Sequence, residues 1–222
     1  MLGGFIFMLF PGSLYIIGNI SPYIASYFHL ADPTQAANLL PAILAINVFI
    51  MPFGTTLVQR HVNPKKLIFI GGFSAFLLLN AATFVDKKFW VFATLYCMAF
   101  AINQALTYMA PIHHAWLFFP NHGGLISGII LAGYGFGALI FDNVSTAIVN
   151  PGGKYKKDEH GWYPKEVNHE FEYMLRVLII SWSVCVLIGL CLIFRGPLPR
   201  NKRPHTTPRS MQSPYSPTYA PH

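Results

Sequence analysis

Along the chain, apolar positions gather into six runs separated by short segments that hold most of the charge. The runs are Leu2 to Phe28, Leu39 to Val58, Lys66 to Val85, Trp90 to Ile112, Gly124 to Ile148 and Leu175 to Phe194. Helices of these lengths cross the roughly 30 Å hydrocarbon layer of a bilayer at about 1.5 Å per residue. None alternates with the two-residue period of a barrel strand, and backbone in lipid must satisfy its own hydrogen bonds, so helices are expected. The pattern predicts an all-α membrane protein: a six-helix bundle over residues 1–196, with an outer loop at 150–173. Residues 197–222 are rich in proline and poor in large aliphatics, which predicts a disordered cytoplasmic tail.

Composition agrees with a bilayer as the chief partner: 54% of the 222 residues are hydrophobic and 10% charged. The net charge of +7 does not point to nucleic acid, because the basic residues lie between apolar runs rather than in one patch. Arg60, Lys65 and Lys66 after the second run, with the basic tail after the sixth, place both termini in the cytoplasm by the positive-inside bias. No Arg or Lys is expected inside any of the six spans. The first run lacks a basic flank and a small-residue cleavage site, so it is expected to remain as a span. Cys97, Cys185 and Cys191 fall inside apolar runs and read as small hydrophobes. No nucleophile–base set, phosphate loop or metal-ligand spacing stands out, so no enzyme activity, metal or cofactor is expected.

Six glycines interrupt the stretch from Phe118 to Phe141. In water each would weaken a helix, whereas in lipid small residues let helix backbones approach. Gly124 with Gly128, and Gly133 with Gly137, form two small-xxx-small pairs, with Gly135 widening the groove, so the fifth span is expected to pack on a neighbour or to rock against it. Polar positions also form stripes. Tyr15, Asn19, Tyr23 and Ser26 share one face of the first span, and Asn103, Thr107 and His114 one face of the fourth. Gln104 and Tyr108 lie about 100° round the fourth span from that face. The stripes predict either a wet cavity surface or hydrogen bonds that fasten the bundle. Asp142 is expected near the outer interface.

Residues 116–141, WLFFPNHGGLISGIILAGYGFGALIF, resemble the junction of the fourth and fifth spans in the major facilitator superfamily, in its oxalate/formate antiporter and monocarboxylate transporter branches. Phe118, Phe119 and Pro120, then Gly124, Ser127 and Gly128, then Gly133, Gly135 and Gly137 carry the likeness. It extends over about residues 1 to 196 and departs after the second span, where Gln59 or Arg60 stands at the family's acidic position and Asn63 at its glycine. The resemblance implies one half of a carrier of two six-helix halves, each built of 3+3 inverted repeats. It implies alternating access and small carboxylate substrates, with the first and fourth spans lining the cavity and Tyr15, Asn19, Tyr23, Asn103, Thr107, Tyr108 and His114 as candidates to face it. The second half would come from another copy or a related chain. The alternative is a non-transporting structural or regulatory subunit that pairs with another transporter half.

Overall fold

The computed structural model describes residues 1–60, 62–85, 88–158 and 162–195. The proline-rich segment at 197–222 lies outside the described residues. Six helical spans are long and apolar enough to cross a membrane: Leu2–Tyr27, Thr34–Gln59, Pro64–Thr83, Phe89–Trp116, Pro120–Val149 and Val167–Phe194. They alternate in direction, so the turns after the second and fourth spans share one end with Met1, here the terminal end. The connection after Val149 lies at the opposite, loop end.

Local chemistry sets several boundaries. Asn63 accepts a hydrogen bond from the Lys65 backbone N–H at 3.0 Å, and Pro64 follows as the first residue of the third span. Asp32 accepts from the Thr34 backbone N–H at 2.9 Å and the Thr34 hydroxyl at 2.7 Å, which holds the start of the second. Those hydrogen bonds lower the Asp32 carboxyl below its ordinary range. Between the fourth and fifth spans, the Trp116 indole donates to the Gly123 carbonyl at 3.1 Å and to Ser127 Oγ at 2.9 Å, closing a tight turn. The sixth helix begins at Lys165, so Arg176 lies three turns into it rather than at its edge. That corrects the expectation that every Lys and Arg lies outside the spans.

The contacts between spans follow a pairwise exchange pattern. The first span packs on the fifth and sixth, the fourth packs on the second and third, and the third meets the sixth. Mapping the first three spans onto the last three interchanges these contacts, although the fifth–sixth contact has no second–third counterpart of comparable extent. Burial follows the same pairing. Of each span's most apolar window, 67% and 56% is buried in the first and fourth spans, 22% and 28% in the second and fifth, and 39% and 33% in the third and sixth. The first and fourth spans are central, and both are broken, the first at its midpoint and the fourth between its midpoint and the terminal end. A 3-10 turn, Ser13–Ile16, follows Pro11 in the first, and a break at Tyr108 and Met109 precedes Pro111 in the fourth. Ser13 Oγ donates to the Phe10 carbonyl at 2.6 Å and Thr107 Oγ1 to the Asn103 carbonyl at 2.7 Å, so hydroxyls serve backbone groups where the helices loosen.

Glycine sets the closest contacts. A Cβ on Gly133 or Gly137 would lie 2.2 Å from the Phe5 carbonyl oxygen or 2.1 Å from that of Leu9, and one on Gly12 would lie 1.9 Å from the Tyr134 carbonyl oxygen. The contact related by that exchange has the same form, with a Cβ on Gly54 only 1.8 Å from the Ala105 carbonyl oxygen. Gly124, Gly128 and Gly135 differ: they are exposed, and a Cβ there meets nothing within 4 Å. The fifth span therefore carries one glycine face spent on the first span and another without a neighbour among the described residues. Around the central spans, Trp182 is buried against Phe10, Phe100 and Phe141, with ring centroids 5.6, 5.5 and 6.0 Å away.

At the terminal end Lys65 is buried, donates to the Phe194 carbonyl at 3.2 Å and lies 5.4 Å from the centre of the Phe194 ring. A cation there neutralises the carbonyl end of the sixth helix. Arg60 and Lys66 at the same end are exposed.

Gly137→Leu or Gly54→Leu is expected to force the backbones apart and lower the melting temperature of the purified chain by roughly 5–10 °C or prevent folding, since overpacking costs about 1–3 kcal/mol or more. Gly128→Leu is expected to leave the isolated chain within about 2 °C of the parent. Lys65→Met, which keeps the alkyl stem, is expected to cost on the order of 1 kcal/mol through the lost contact with the helix end. Thermal unfolding in detergent with size-exclusion profiles checks all three.

Candidate functional site

Four polar side chains sit within two residues of the midpoints of their spans: Tyr15 in the first, Asn47 in the second, Gln104 in the fourth and Tyr134 in the fifth. The structure joins them. The Asn47 amide donates to Gln104 Oε1 at 2.7 Å, and the Gln104 amide donates to the Tyr134 hydroxyl at 2.8 Å. The rings of Tyr15 and Tyr134 meet edge to face at 5.9 Å, and Tyr108 meets Tyr134 at 6.2 Å. This row respects the exchange pattern, since Asn47 and Gln104 join the second and fourth spans as Tyr134 and Tyr15 join the fifth and first. Tyr15 belongs to the 3-10 turn of its span and Tyr108 to the break in its own, so both helix interruptions fall at the row.

Toward the loop end, one turn beyond Tyr15, the exposed Asn19 donates to Asp142 Oδ1 at 3.0 Å and to Thr146 Oγ1 at 2.8 Å. Tyr15, Asn19, Ala138, Leu139, Asp142 and Asn143 line a recess of about 400 Å³ there. Asp142 thus lies beside an exposed face, tied to the first span.

The other expected residues lie elsewhere. Asn103 and Thr107 are fully buried. Thr107 Oγ1 also lies 3.3 Å from Asn103 Oδ1, and its methyl would sit 2.4 Å from a Cβ on Gly71, so this stripe turns into the contact with the third span. Gln104, one residue on, takes the face that the periodicity had assigned to Asn103. Tyr23 is buried under the loop-end connection, stacked on Tyr163 at 4.6 Å and accepting from the Asn150 amide at 3.4 Å. Ser26 accepts from the Tyr163 backbone N–H at 3.1 Å. Partial burial, with the hydrogen bond to Tyr23, pushes the Tyr163 phenol up to about 12, so this clasp stays neutral at working pH. His114 is buried at the terminal end against Phe118, with ring centroids 5.2 Å apart, away from the row. Asn47 and Tyr134 were not singled out from the sequence. A lone asparagine in an apolar run was the available signal for the first, and the flanking glycines drew attention from the second.

Chemically the row offers amide and phenol hydrogen-bond donors and acceptors, and no Lys or Arg among the described residues belongs to it. Asn47 Oδ1 is buried without a hydrogen-bond partner among the described residues, which leaves an acceptor free at mid-depth. Such a site favours small polar solutes or the neutral form of an acid, because desolvating a charge without a counter-charge is costly.

No family model matches the sequence, and no solved structure matches it. The chain is similar to apicoplast pyruvate carrier 1 of Toxoplasma gondii, with 24% identity over 188 aligned residues that cover 68% of this chain and 34% of the relative. It therefore spans about a third of the length of the curated relative it matches.

Proposed function

We propose that this chain works in membrane transport of a small monocarboxylate-like solute, as one six-helix half of an alternating-access carrier of the major facilitator type. The mid-depth row is the observation that carries the reading. Tyr15, Asn47, Gln104 and Tyr134 place hydrogen-bonding groups at the middle of four helices, the first of them broken there, and carriers built from inverted repeats bind solute at that depth. Similarity to a protein named as a pyruvate carrier supports the solute class. In this reading the termini face the cytoplasm, Asn19 and Asp142 flank the path toward the opposite side, and the row contributes neutral donors while a counter-charge for the anion comes from the other half.

A second reading, a non-transporting subunit, draws on the same side chains. Asn47, Gln104 and Tyr134 already bond one another and so also serve to fasten helices. The exposed glycines of the fifth span fit a partner half in either reading, supplied by a second copy or a related chain.

Uptake of labelled pyruvate into proteoliposomes containing the chain with its native membrane partners separates the two. Gln104→Leu is expected to lower uptake by about tenfold, the worth of one desolvated hydrogen bond of roughly 1.4 kcal/mol, without loss of the helical spectrum. Wild-type uptake in Gln104→Leu and Tyr134→Phe, or none in the parent under any pH or solute gradient, overturns the transport reading. Asp142→Leu removes the acceptor of the Asn19 amide and is expected to lower uptake several-fold. Wild-type uptake in that variant removes Asp142 from the path.

A further inference from the structure

Away from the polar row, the surface between the third and sixth spans carries an apolar groove of about 210 Å³. Phe69, Phe73 and Leu79 form one wall, Ile179, Ser183 and Leu187 the other, and Trp182 lies at its base. Toward the loop end it leads to a second recess of about 390 Å³, formed in part by Tyr27, Thr83, Glu172 and Arg176. The two are neighbours along the same helices: Ala82, in the recess, is three residues beyond Leu79, and Arg176 is three residues before Ile179.

Depth decides what fits. Arg176 precedes Phe194 by 18 residues, about 27 Å along the helix, so with Phe194 at one hydrocarbon boundary the guanidinium reaches the other, given a core of roughly 30 Å. The 20-residue third span, Pro64–Thr83, ends at the same level by the same rise. Arg176 is exposed, and a cation at that boundary costs far less than one at mid-depth. The level is that of phospholipid phosphates, which the planar guanidinium fork matches in shape and charge. Glu172 lies one helical turn farther out, about 6 Å, and its Oε1 accepts from the Tyr27 hydroxyl at 2.6 Å. A cation, then an anion, spaced one turn apart above an apolar groove, mirrors a zwitterionic headgroup above its acyl chain.

We propose that this face is a binding site for a phospholipid with a primary-amine headgroup: an acyl chain in the third–sixth groove, the phosphate on Arg176 and the ammonium on Glu172. The site is independent of the solute path, and its test does not depend on transport.

Native mass spectrometry of the full chain, titrated with dioleoyl phosphatidylethanolamine, phosphatidylglycerol and phosphatidylcholine, reads the site directly. Phosphatidylethanolamine is expected to bind about fivefold or more tightly than the other two, a difference of roughly 1 kcal/mol for the added ammonium–carboxylate contact. Arg176→Gln should weaken all three, Ser183→Phe should do so by filling the groove, and Glu172→Gln should abolish the headgroup preference while leaving phosphatidylglycerol binding intact. Should Arg176→Gln not fold, Arg176→Lys keeps the charge but not the fork, and intermediate affinity is expected. Equal binding of the three lipids to the parent overturns the amine assignment, as does a preference that survives Glu172→Gln. Unchanged binding in both Ser183→Phe and the Arg176 variant overturns the site.

Discussion

Helices in lipid gain little from burying apolar side chains, because the surrounding hydrocarbon is as apolar as the helix interface. What distinguishes a packed bundle from six separate helices is then close contact: dispersion between backbones and the few hydrogen bonds that close approach permits. Here that contact is made where a glycine meets a carbonyl. Gly133 and Gly137 rest on Phe5 and Leu9, Gly12 rests on Tyr134, and Gly54 rests on Ala105. These contacts seat the fifth span on the first and the second on the fourth, the two joints related by the pairwise exchange. The central pair, the exchange pattern and the positions of the polar residues all depend on them.

The polar row follows from those joints. When the second span closes on the fourth at Gly54, Asn47 lies two turns away along the same helix and reaches Gln104. When the fifth closes on the first at Gly133 and Gly137, Tyr134 is held between them and faces both Gln104 and Tyr15. A hydrogen-bonded row across four helices at mid-depth needs both joints closed at once. Movement that opened either joint would break a link of the row, so the polarity of this layer is coupled mechanically to helix packing. That coupling is the physical content that a rocking carrier requires, and a rigid scaffold would also possess it.

The sequence made the spans legible because a twenty-residue window averages over local detail. It made the glycine helix legible because lipid is the one solvent in which that composition helps. Faces were harder. A stripe at i, i+4 and i+11 establishes that Asn103, Thr107 and His114 share a side but carries no absolute phase, and the third span took that side by pressing Gly71 against Thr107. Gln104, about 100° round the helix, received the open side instead. Tyr23 is covered by a segment whose placement depends on long-range contacts, the stacking of Tyr163 and the grip of Asn150. Single polar residues such as Asn47 have no period at all, and only a partner on another helix reveals their role.

The two glycine faces of the fifth span can be weighed by the same physics. If Gly124, Gly128 and Gly135 were neutral to packing, larger residues would serve the lipid-facing side better, since each glycine in a helix interior costs up to about 1 kcal/mol relative to alanine. Three such positions together represent roughly 2–3 kcal/mol of helix propensity forgone on a face where nothing described lies within 4 Å. On the buried face the glycines instead allow backbone-distance contact with Phe5 and Leu9. The same cost is not incurred by the third and sixth spans, whose exposed positions carry Phe69, Phe73, Ile180 and Leu187, side chains suited to acyl chains.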